Sequence, residues 1–109
     1  MLSQKLTKSL SSNKTQSFKI VNPWNIDMYL RISSSTQMLA FGYYPDNLFQ
    51  DKCFNILLEK PYQDGFSVDV QFTENQIKGC YQILAISFPK LNNNYLKFFT
   101  LLHENGLIK

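Results

Sequence analysis

At 109 residues and a net charge of +3, the chain has the size of one domain with one core, able to bury roughly 60–70% of its unfolded surface without disulfide staples. Hydrophobic content of 44% against 17% charged excludes an intrinsically disordered protein, and no apolar run approaches the length of a membrane span. The charge is uneven. Lys5, Lys8, Lys14 and Lys19 meet no acid before residue 27, whereas residues 27–109 carry seven basic and eight acidic groups. That near-neutrality weighs against a protein that grips phosphate backbones with a broad basic face.

In the opening stretch Leu2, Leu6 and Leu10 recur every four residues in an acid-free, Ser-rich run. Mitochondrial presequences look similar but are rich in arginine, and this stretch has none. Residues 1–17 therefore read as a flexible or weakly helical basic tail, and residues 18–109 as the folded domain. The clearest periodicity is "WNIDMYLRIS", where Trp24, Ile26, Met28, Leu30 and Ile32 alternate with polar or half-polar neighbours, so it predicts a first strand. The "NPW" before it is a competing helix-start cue. "SSST" then reads as a hairpin loop into a second strand, "QMLAFGYY".

"PDNLFQD" is turn-like. "KCFNILLEK", with Phe54, Ile56 and Leu58 on one face, predicts a third strand, and "FSVDVQF" a fourth with Phe66, Val68, Val70 and Phe72 inward. "TENQIKGCYQIL" is ambiguous. Thr73 and Gln76 form a capping box, with Ile77, Cys80, Tyr81 and Leu84 on one helical face. Against that, Gly79 would cost about 1 kcal/mol in mid-helix, and the β-rich run "YQILAISF" follows. A fifth strand is the favoured reading.

"NNNYLKFFTLLHENG" is a complete helix at about 93–105, with Asn to start it and Gly106 to stop it. Tyr95, Phe98, Phe99 and Leu102 cluster within about 100° of arc, and Leu96 and Leu101 widen the apolar arc to roughly 220°. An ordinary surface helix needs a stripe only a little over 100° wide. The excess predicts that part of this helix touches something besides its own sheet: loops or the N-terminal segment of this chain, or, the sharper reading, another protein. Tyr95, Leu96, Phe98, Phe99, Leu101 and Leu102 are the expected partner-binding residues.

Five strands followed by a helix make the expected fold mainly β, a five-stranded antiparallel barrel with a basic N-terminal tail. On "TQMLAFGYYPDNLF", "KCFNILLEKP", "DGFSVDV" and "YQILAISFPKLNNNYLKFFTLL", the chain from about residue 24 resembles the oligonucleotide-binding (OB) fold, and within it the smallest subunits of replication protein A and of the telomeric CST complex. The resemblance implies a non-enzymatic subunit whose terminal helix packs with helices of larger OB-fold subunits, in a nuclear single-stranded DNA-binding complex. It also implies weak nucleic-acid contacts at Tyr43 and Tyr44, with Phe49 nearby and Arg31 and Lys52 against phosphates. Alternatives are a self-sufficient single-stranded nucleic-acid binder and an adaptor on another small β-barrel.

Catalytic and metal signals are weak. His103, the lone histidine, sits near a helix C-terminus, where a dipole-favoured surface position is ordinary. Cys53 and Cys80 stand far apart with no C-x-x-C pair, so they suggest neither zinc nor a redox motif. Asp64 and Asp69 read as solvated charges. No cofactor, metal or catalytic residue is expected.

Overall fold

The computed structural model describes residues 15–62 and 72–108. The chain divides into two compact units that part between Asp69 and Val70.

The first unit is an antiparallel meander in the order β1 (Thr15–Ile20), β2 (Asp27–Ser33), β3 (Met38–Tyr44) and β4 (Asn55–Pro61). Of the alternation predicted for "WNIDMYLRIS", the part from Asp27 is realised as strand: Met28, Leu30 and Ile32 are fully buried, and Asp27, Tyr29, Arg31 and Ser33 take the half-exposed face, while Trp24 and Ile26 are buried in the connection before it. Register carries both faces across the sheet. Leu30 pairs with Phe18 and Phe41, and Arg31 with Ser17 and Ala40. β1 begins inside the stretch assigned to the tail, at Thr15, and the rest of the tail, residues 1–14, lies outside the described residues.

The "NPW" cue starts no helix because the Asn22 amide is otherwise engaged. Its Nδ2 donates to the carbonyls of Ile20 (2.9 Å) and Ile26 (2.7 Å). Its Oδ1 accepts from the amides of Trp24 (3.1 Å) and Ile26 (3.2 Å). One side chain thus serves four backbone groups of the β1–β2 connection, and Asn25 takes the left-handed φ of 57° that asparagine tolerates.

Lys52 and Cys53, assigned to the third predicted strand, belong instead to a 3-10 turn at Asp51–Cys53. Pairing of β3 with β4 shifts register between Phe41 and Gly42, skipping Leu57. Gly42 is glycine for a steric reason: a Cβ there would lie 2.2 Å from the Asn55 carbonyl oxygen and 2.9 Å from Phe54 Cζ. Because the nearer atom is backbone, Gly42→Ala must spread β3 from β4, and a loss of roughly 1–3 kcal/mol is expected in urea unfolding. An unchanged midpoint would show that the strands part freely.

The second unit contradicts the predicted fifth strand. Residues Glu74–Ser87 form helix α1, and Tyr95–Glu104 form α2. The capping box is complete: Thr73 Oγ1 accepts from the Gln76 amide (3.2 Å) and Gln76 Oε1 from the Thr73 amide (2.8 Å). Ile77, Cys80 and Leu84 are the buried stripe at helical spacing. Gly79 meets nothing within 4 Å of where a Cβ would stand, so its cost is only the modest propensity term. A satisfied N-terminus and a continuous buried face outweigh the β propensity of "YQILAISF", which depends on strand neighbours to be expressed. Of the fourth predicted strand, residues 66–71 lie outside the described residues, and Phe72 makes an isolated parallel bridge to Ile108.

The described architecture is therefore an open four-stranded antiparallel sheet and two C-terminal helices, of mixed α and β content. It is neither five-stranded nor a closed barrel.

The end of α2 follows its sequence signals. Gly106 takes φ 81°. Its amide donates to the His103 carbonyl (3.0 Å) and the Leu107 amide to the Leu102 carbonyl (3.0 Å), the two bonds of a Schellman motif. At the other end Asn94 makes no side-chain cap. The Tyr81 hydroxyl of α1 takes over that turn, donating to the Leu91 carbonyl and accepting from the Asn94 amide.

Candidate functional site

On the half-exposed face of the sheet, Arg31 is held by the residues around it. Its guanidinium lies 4.8 Å above the centre of the Phe54 ring, an arrangement in which the ring's negative face attracts the cation. Nη2 stands 3.6 Å from Asp51 Oδ1, too far for an N–H···O bond. Among the described residues no other ion pair involves Arg31. Phe54 in turn packs on Tyr44 (5.0 Å between centres), and Tyr44 meets Tyr29 at 5.4 Å and Phe49 at 5.6 Å.

Of the predicted nucleic-acid contacts, the sheet brings Arg31 and Tyr44 onto one face. Tyr43 points to the other face, because strand alternation separates neighbours, and it is buried there. Tyr44 is also buried, enclosed by three rings. Phe49 and Lys52 are exposed in the β3–β4 connection. Sequence reasoning missed Tyr29 and Phe54 as members of this cluster. Tyr29 was findable, standing two residues before Arg31 on the same strand; Phe54 was not, since its place depends on the missing side chain of Gly42.

In the helical unit the six predicted partner residues separate by exposure. Phe98 and Leu102 are fully buried, Tyr95, Phe99 and Leu101 are half-buried, and Leu96 is 77% exposed. The buried pair is closed to any partner. One flank of the arc is partly covered and the other is open. On α1, Ile83 and Ile86 are 53% and 82% exposed. They stand three apart and so on one side of the helix. These two were missed because the segment was read as a strand rather than as a helix.

The Tyr95 and Tyr81 rings meet edge to face with centres 5.2 Å apart, and Tyr95 lies 6.0 Å from Phe99. Its hydroxyl is buried and has no hydrogen-bond partner among the described residues. Loss of hydration, and then the Glu74 carboxylate, push its pKa up. His103 is exposed at the end of α2.

Burial pushes the Cys80 thiol from 9.0 up to about 12, so it stays protonated and packs as a small hydrophobe. In the folded chain at pH 8, a thiol reagent is expected to label half-buried Cys53 well before Cys80, as peptide mass spectrometry after timed quenching would show. The thiolate is disfavoured only in the folded state, so Cys80's contribution is constant below pH 9 and lost as pH rises from 9 toward 12. Equal labelling of both cysteines would contradict this burial. Among the described residues no three His, Cys, Asp or Glu side chains gather as metal ligands, and no helix is long and apolar enough to cross a membrane.

No family model, curated protein or solved structure matches the chain.

Proposed function

We propose that this chain is a non-enzymatic assembly subunit that docks a larger protein partner on its C-terminal helices. The observation that carries this reading is the exposure of Leu96 on α2 and of Ile83 and Ile86 on α1. Burying each would contribute roughly 1.5–3 kcal/mol, so a partner's apolar surface is the complement that these side chains lack. The resemblance of the chain order to the smallest subunits of replication protein A and CST would make that partner a larger OB-fold subunit of a nuclear single-stranded DNA-binding complex. The helix at Glu74–Ser87 and the open four-stranded sheet depart from that pattern, so the proposal rests on the exposed side chains first.

The test is affinity capture of the tagged chain from its source, beside Leu96→Asp and Ile86→Asp, with size exclusion and light scattering on the protein alone. Both substitutions sit at exposed positions: Leu96→Asp, in a first turn, should leave folding within about 0.5 kcal/mol of wild type, and Ile86→Asp, in a last turn where the helix dipole disfavours an anion, should cost no more than about 1 kcal/mol. The expected result is loss of the co-purifying subunit from both variants. Retention of the same partner by both, or a wild type that associates with nothing, refutes the proposal.

Autonomous binding of single-stranded nucleic acid is the weaker reading. Arg31 and Tyr44 share a face, but Tyr44 is enclosed and Asp51 stands beside Arg31. Anisotropy of a labelled oligonucleotide across a salt series decides it, since phosphate contacts give a steep loss of affinity with salt.

A further inference from the structure

Across the first unit, one row of paired residues runs Ser17, Arg31, Ala40, Glu59 over the half-exposed face. Ala40 is the smallest of the four and sits in the middle, so the row dips between a cation on β2 and an anion on β4. The dip opens as a groove of about 180 Å³. Met38 and Ile56 add apolar walls and Ser33 a hydroxyl. Arg31 and Glu59 lie two strand spacings apart, about 10 Å at the backbone, and they make no ion pair with each other. The guanidinium is oriented by Phe54 rather than by a carboxylate within hydrogen-bond reach. Asp51, 3.6 Å away, offsets part of the guanidinium's charge but makes no hydrogen bond to it, so the planar fork of donors stays open to a ligand carboxylate.

We propose that this groove binds a small linear amino-carboxylate. The carboxylate takes the fork of Arg31, the methylenes lie over Ala40 between Met38 and Ile56, and the ammonium reaches Glu59. Glu59 and Asp51 set the selectivity: both repel a second negative charge, so phosphate esters and polyanions are poor ligands and a zwitterion is a good one. The site lies wholly in the first unit and stands independently of the assembly reading.

The probe is ε-aminocaproate, with caproate, hexylamine and inorganic phosphate as controls, measured by calorimetry on the full chain. The zwitterion is expected to bind at least about tenfold more tightly than either single-charge control, because each end makes a charge-assisted bond. Phosphate should bind weakest. Arg31→Gln should bring ε-aminocaproate down to the level of hexylamine, and Glu59→Gln to the level of caproate. Arg31→Lys, which keeps the charge but not the fork, should recover only part of the loss. Glu59 is exposed, so its variant keeps the test open if changes at Arg31 disturb folding. No preference for the zwitterion over both controls, phosphate binding as tight as the zwitterion, or Glu59→Gln without effect on that preference overturns the proposal.

Discussion

Phe98→Ala is expected to cost about 3–5 kcal/mol, the range for emptying a fully buried aromatic position, while Leu96→Ala two residues earlier costs less than about 0.5 kcal/mol. Both lie on the helix Tyr95–Glu104 and both were read as part of one apolar arc. Phe98 has no exposed surface and packs 5.5 Å from the Tyr81 ring, whereas Leu96 is largely in solvent. Urea unfolding of the two variants, followed by far-UV circular dichroism, measures the contrast directly. It also bears on the proposed assembly role. A large loss at Leu96 in the isolated chain would mean that this side chain is already covered, and the case for a partner on that flank would fail.

The second large effect is expected at Asn22. Removing its amide in Asn22→Ala deletes four side-chain bonds to the β1–β2 connection, and at about 1 kcal/mol each, less what water recovers at a part-buried site, roughly 2–4 kcal/mol should be lost. Asn22→Asp sharpens the test. It keeps the acceptor for the Trp24 and Ile26 amides, but it sets an oxygen, charged at neutral pH, against the Ile20 and Ile26 carbonyls in place of a donor. Aspartate should therefore not rescue the alanine variant at pH 7, and lowering the pH through the carboxyl's titration should restore part of the loss, because a protonated carboxyl donates. If aspartate is as stable as asparagine at pH 7, the two donor bonds are not what holds the connection.

Several local features were legible from residues alone because their physics is local. Alternation placed Met28, Leu30 and Ile32 on the buried face of a strand, since side chains of an extended chain can only alternate. Gly106 ended the last helix because a left-handed residue was required there. The Thr73–Gln76 box is equally local, but in sequence alone the β-rich run after it competes with it. A capping box is settled within four residues, whereas strand propensity is an average over contexts that supply neighbours. "YQILAISF" has no such neighbours among the described residues and follows its cap into a helix.

Composition, register-free periodicity and the Gly106 stop signal determined that this chain has a buried strand face, a basic N-terminal stretch and a last helix with an unusually wide apolar arc. Only the tertiary structure decided which of the arc's side chains remain in solvent, that Tyr44 is enclosed as well as Tyr43, and that Arg31 rests on Phe54. The reason lies in distance along the chain. The Phe54 ring reaches Arg31 only because Gly42, on the strand between them, lacks a side chain, and no single window of sequence contains all three.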